Sequence, residues 1–386
     1  MQCVGNQPPS WRFIPAWINR INNIFWKSLL TLAGLPSFRE RYLMRMAAAA
    51  MPDSEKGDVM PAIRPPAVAG LFYPGDAEDL RRQVQKLLND ARLFNLFPDG
   101  HGDAKNRHAR PPLPNPASRP TAGFAHPADS CGGKHAFRNP VFVPEGEETN
   151  ESLREFSIKA LIVPHAGYIY SGAIAATAYA TLRPVAARIR RVILLGPTHH
   201  VAVRGLALPD ADAFDTPLGR VMLDTDAASV IGRLPQVCVS SQAHAQEHSL
   251  EVQLPFLQSV LTDFTLLPLA VGRATAQEVA EVLEFLWGGE ETLIVISSDL
   301  SHYLPYPIAQ RVDDETVHTI LALEPSISHE RACGGTPVNG LMLVAQKHGL
   351  VPHLLDLRNS GDTAGTRDKV VGYASFAFTE EKSHVH

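Results

Sequence analysis

The chain has 386 residues, 45% hydrophobic, 19% charged and 7% aromatic, a composition that excludes collagen-like, coiled-coil and wholly disordered proteins. Its 35 Lys and Arg against 40 Asp and Glu leave a net charge of -5, so no basic field exists to neutralise phosphates and nucleic acid is not an expected partner. The four cysteines, Cys3, Cys131, Cys238 and Cys333, form no CxxC pair, too scattered a set for a disulfide framework, and a reducing, cytoplasmic location is expected.

Residues 1–60 read as a basic extension: Trp11 to Leu35 mixes Trp, Phe, Ile and Leu with Arg and Lys, and no acidic residue precedes Glu40. Arg12, Arg20 and Lys27 interrupt the apolar run, so no transmembrane helix or stable membrane insertion is expected. The stretch suits an amphipathic surface helix, a targeting segment, or upstream sequence included by too early a start, with Met44, Met46, Met51 and Met60 as later starts. The last reading is favoured.

Residues 61–94 give an extended segment, Pro65 to Pro74, then a helix whose Leu80, Val84, Leu87 and Leu88 recur at helical spacing. Residues 95–157, rich in Pro, Gly and Asn and including Arg110 to Pro116, read as a low-complexity insertion. From 158 to 380, aliphatic runs at 160–163, 192–195, 265–267 and 293–296 have the length and branching of buried strands. They alternate with helical stretches at 172–182, 250–261, 276–287, 311–323 and 338–348. This pattern predicts an α/β fold, a three-layer α/β/α sandwich with a mostly parallel central sheet. The runs 353–357 and 370–378 are expected to close it with antiparallel strands, and 381–386 is a tail.

In such a sheet, ligands bind beyond the carboxyl ends of the strands. Those ends deliver His165 in Pro164–Tyr168, His199 and His200 in Gly196–His200, and Asp299 and His302 in Ser297–His302. Histidine titrates near neutrality and is the commonest metal ligand as the neutral ring, so three strand ends carrying it toward one rim predict metal binding, acid/base work or both. His248 and Glu251, three apart in Glu247–Glu251, would share a helix face, and Asp299 is placed to orient His302. Cys333, just ahead of a helix, would have its thiolate stabilised by free N–H groups, whereas Cys238 reads as a small buried hydrophobe. His244 to His248 also matches the HxxEH pattern, a minor alternative that would make the protein a zinc-dependent hydrolase through His244 and His248.

These residues resemble the Memo family, which includes protein B of the AmmeMemoRadiSam system. The resemblance rests on Ala69–Tyr73, Pro164–Tyr168 with Ser171–Gly172, Gly196–His200, Asp215–Gly219, Glu247–Glu251, Ser297–Tyr303, Cys333–Gly334 and Val371–Ala374. It implies a fold similar to class III extradiol ring-cleavage dioxygenases, in which two histidines and a glutamate hold iron. By position His165 and His199, with His200 as the alternative to His199, would be the histidine ligands, and Cys333 would replace the glutamate. His302 would be the acid/base, with His248 and Asp299 close by. A thiolate in place of a carboxylate shifts metal preference toward copper or zinc, so ring cleavage does not carry over and iron or copper is expected, zinc being possible. The resemblance further implies a redox role on a small-molecule substrate or peptide, with radical SAM and AMMECR-type proteins as partners. The rival function is a non-catalytic module binding a peptide or partner in the same cleft.

Overall fold

The computed structural model describes residues 61–91 and 156–381, so the readings of the N-terminal extension, nearly all of the insertion and the tail lie outside the described residues. The chain opens with β1 (Ile63–Arg64) and α1 (Ala77–Asp90). Asp76 caps α1 by accepting from the backbone N–H groups of Glu78 and Asp79, and Leu80, Val84 and Leu88 form its buried stripe.

The centre is built from β2 (Phe156–Val163), β3 (Arg191–Pro197), β8 (Thr265–Val271) and β9 (Thr292–Ser297). In the order β2-β9-β3-β8 all neighbours are parallel. Their side chains alternate between two cores. Leu161, Val163, Val192, Leu194, Leu293 and Val295 join one face, while Ala160, Ile162, Ile193, Leu195, Ile294 and Ile296 join the other. A strand buried on both faces needs helices on both, and the expected three-layer α/β/α architecture follows.

On the first face, α1 packs against α2 (Tyr168–Ala180) and α6 (Leu254–Val260). The second carries α3 (Thr225–Ile231), α7 (Ala276–Phe285), α8 (Tyr306–Leu321) and α9 (Gly335–His348). Beyond the parallel centre the sheet turns antiparallel. β12 (Val370–Glu381) pairs with β2 on one edge and with β11 (Val351–Asn359) on the other, and short β10 (His302–Leu304) meets its start. On the opposite flank, β4 (Leu206–Leu208) runs antiparallel to β8 and parallel to β7 (Val237–Val239). A separate small sheet joins β1 to β5 (Ala213–Thr216) and β6 (Gly219–Met222).

Three differences from the sequence reading have physical causes. The expected helix over 250–261 is two pieces, α5 (His248–Glu251) and α6, because Pro255 has no N–H to extend the ladder from α5. The helix expected at 311–323 begins earlier, at Tyr306, with Pro307 accommodated in its first turn. Cys238 is exposed on the edge strand β7 rather than buried. Among the described residues, no helix is long and apolar enough to cross a membrane.

Candidate metal centre

The carboxyl ends of β2, β3 and β9 lie side by side, and the loops leaving them carry the expected residues. His165 is buried two residues beyond β2, and its backbone N–H donates to Asp299 Oδ1 at 2.7 Å. Its Nδ1 lies 2.9 Å from Ser297 Oγ. The single hydroxyl proton of Ser297 goes to the Ser249 carbonyl at 2.6 Å, so this oxygen accepts from His165 Nδ1 and from Gln253 Nε2. His165 therefore carries its ring proton on Nδ1 and presents a bare lone pair on Nε2.

His199 follows β3 and is held by one residue, Glu247. A Glu247 oxygen accepts from the His199 backbone N–H at 2.6 Å and the other lies 2.8 Å from ring Nδ1. Burial alone would raise the Glu247 pKa, but hydrogen bonds from the His199 ring and from the Ser249 and His199 backbones hold it down at about 2. The carboxylate thus stays ionised and accepts from Nδ1, which in the neutral ring leaves Nε2 of His199 free for a metal. Gly196 makes this approach possible, since a Cβ there would stand 2.7 Å from Ser249 Oγ.

His248 opens α5, stacks on His199 at a ring-centre distance of 4.5 Å and meets the tilted ring of Phe72 at 4.7 Å. One donor atom each from His165, His199 and His248 all lie within 4.8 Å of one another, the grouping among the described residues suited to an ion. Burial, then the neighbouring His199, pushes His165 down to about 3. Burial, then His165 and His199, pushes His248 down to about 4. Both are neutral at neutral pH, the state in which imidazole ligates.

Cys333 stands beside this triad: its Sγ is 3.3 Å from His165 Nε2 and lines, with His199, a cleft of about 440 Å³. Gly334 permits that proximity, because a Cβ there would press on Ser298 at 2.7 Å. The expectation of a thiolate favoured by the helix N-terminus is corrected. Burial, then the negative charge of Asp299, pushes the thiol up to about 12, outweighing hydrogen bonds at Asp299, Ser298 and Gly334. In the metal-free protein the thiol keeps its proton and can donate it to His165 Nε2.

The geometry therefore groups His248 with His165 and His199, where the sequence reading had Cys333 in the third position and His248 as a catalytic neighbour. His200 is exposed, its ring 6.1 Å from His248, and does not belong to the triad. His302 stands half-exposed on β10, with no hydrogen bond to its ring among the described residues. Asp299 is engaged with the His165 backbone rather than hydrogen-bonded to His302, and burial pushes its pKa up, opposed by the His165 N–H and by nearby His302.

The paired-histidine reading of His244 and His248 is overturned. His244 sits in α4 (Ser241–Ala245), a helix that ends before α5 begins. Its ring is buried in the core, with Nε2 2.8 Å from the Ala207 carbonyl, and it is not among the donor atoms that converge with His248. Burial pushes His244 down to about 4 from an ordinary 6.5. Between those values the unfolded chain binds the proton and the folded chain does not, so stability falls as pH drops from about 6.5 toward 4. Chemical denaturation across that range should show a His244→Gln variant losing about 3 kcal/mol less than the parent. Parallel pH curves for the two proteins would contradict this.

Glu247 is the functional residue the sequence reading left without a role; it was visible only as the neighbour of His248. Arg64 is another. Its Nε and Nη2 donate to the carbonyls of His244 and Glu247 at 2.6 and 3.0 Å, and Nη1 pairs with Glu251 at 2.7 Å. Glu251 also accepts from the Ala67 and Val68 backbones and from the Tyr73 hydroxyl. The segment before α1 thereby clamps the loop that presents Glu247 and His248.

Residues 139–377 match the family model described as Memo-like protein. The chain belongs to the Memo family. A MEMO1 family protein of Ignicoccus hospitalis is 33% identical over 333 residues, covering 82% of this chain and 98% of that protein. Its counterpart in Aquifex aeolicus is 34% identical over 331 residues, covering 82% and 99%. Among solved structures, the uncharacterized Escherichia coli K12 protein JW3007 is 12% identical with a TM-score of 0.38, covering 58% of this Memo-family chain and 99% of its own, a likeness too distant to bear on fold or function.

Proposed function

We propose that this Memo-family chain is a metal-dependent redox protein whose ion is held by His165, His199 and His248, with Cys333 as an adjacent sulfur donor and His302 as acid/base at the rim. The observation carrying this reading is the convergence of three imidazole donor atoms within 4.8 Å of one another, two of them on rings held neutral by burial. The three donor atoms that converge are imidazole nitrogens, and a nitrogen set with a nearby thiol suits iron, copper or zinc over magnesium or calcium. A bound redox ion would supply electron transfer and Lewis acidity to a small substrate in the cleft. Glu247 and Ser297 would keep the two Nδ1 protons in place, fixing which nitrogen faces the ion. Asp299 would anchor the His165 backbone, and half-exposed His302 would exchange protons with substrate and water.

The expected fold likeness to extradiol dioxygenases, cytoplasmic placement, and action beside radical SAM and AMMECR-type proteins belong to the same proposal. Elemental analysis of anaerobically purified protein tests it: the parent should carry close to one metal per chain, His165→Ala none, and Cys333→Ser a metal of altered identity. Equal metal in all three forms, or none in the parent after reconstitution, would leave the rival reading of a non-catalytic binding cleft.

A further inference from the structure

We infer that the cleft beside the metal centre binds a small organic carboxylate, with Arg273 as its anion anchor; the inference rests on the metal reading for what lies at the inner end, and on the cleft alone for the ligand's charge. The cleft, about 440 Å³, falls in the range of small-molecule sites and is far too small for a folded partner. His199 and Cys333 form one part of its wall, Arg273 and His329 another, and apolar Val203 and Val271 also line it. In a chain whose Asp and Glu outnumber its Lys and Arg by 40 to 35, no acidic side chain among the described residues lines this space. An apolar body with a negative end fits such a surface.

Arg273 is held by its backbone. Its N–H donates to the Val203 carbonyl at 2.7 Å and its carbonyl accepts from Gly205 at 3.0 Å. Preceding Gly272 lies so close to Val203 that a Cβ would come within 2.2 Å of the carbonyl oxygen. Neighbouring Arg204 turns to Glu278 at 3.8 Å, whereas among the described residues no carboxylate pairs with the Arg273 guanidinium. A guanidinium on a fixed backbone at the edge of a cleft offers a forked donor pair that matches a carboxylate. Charge-assisted hydrogen bonds of this kind separate a carboxylate from its uncharged amide by roughly ten-fold or more in affinity.

Benzoate and benzamide are the probes, nearly equal in shape and different in charge, titrated by NMR into the full-length metal-free protein. The parent is expected to prefer benzoate at least ten-fold, with the preference shrinking as salt rises. Arg273→Gln should bring the two probes within two-fold while metal uptake and melting temperature stay unchanged, and Arg273→Lys should restore part of the difference. Equal binding of both probes by the parent, or a benzoate preference that survives in Arg273→Gln, would overturn the inference. A parent that prefers benzoate but takes up no metal sinks the metal reading and leaves the anion site standing.

Discussion

His165→Ala is expected to abolish metal uptake, and Glu247→Gln to weaken it by about 10- to 100-fold without touching the ion. The second substitution separates the account from a general loss of structure. Gln at 247 keeps the size of the side chain but removes the charge that accepts from the His199 Nδ1 and backbone at 2.8 and 2.6 Å. Two consequences follow. The imidazole loses the partner that keeps its proton on Nδ1, so a share of molecules present N–H instead of a lone pair to the ion. The ring is also less firmly oriented against His248, its stacking neighbour at 4.5 Å. Competition titration with a chelator of known affinity reads the change directly. Parental affinity in Glu247→Gln would show that Glu247 does not govern the site.

The second large effect belongs to the clamp. Arg64 and Glu251 are almost fully buried, 2.7 Å apart, with side-chain exposures of 6% and 0%. Taking a buried pair out of water is costly, so the pair contributes little by itself, but removing one member strands the other charge in the interior. Glu251→Gln should therefore cost about 3–5 kcal/mol in urea denaturation. The same change loosens the Arg64 contacts to the His244 and Glu247 carbonyls, so metal affinity should fall alongside stability. A loss below about 1 kcal/mol would mean that the pair is not the main tie between the first segment and the site.

Much of the fold was legible because β2, β3, β8 and β9 are buried on both faces, which forces uninterrupted aliphatic runs. The short strands β4 to β7, of three or four residues each, leave no such run, and no element was expected there. Two histidines of the centre, His165 and His199, were legible from their places after strands, whereas His248, at a helix start, was read as a catalytic neighbour. Their division of labour was not legible, because it depends on contacts between residues remote in sequence. Glu247 meets His199 across 48 positions and Arg64 meets Glu251 across 187. The chemistry of Cys333 failed for a related reason: a helix N-terminus favours a thiolate, yet burial and the Asp299 charge, supplied by a different strand end, win. His244 misled in the opposite sense, since a match in spacing carries no information about the turn that separates α4 from α5.

X-ray absorption fine structure at the edge of the bound metal, recorded on the parent and on His248→Ala, tests the three-imidazole centre most directly. The account predicts three imidazole ligands in the parent and two in the variant, with any sulfur contribution vanishing in Cys333→Ser. An imidazole shell unchanged by loss of His248 would contradict it.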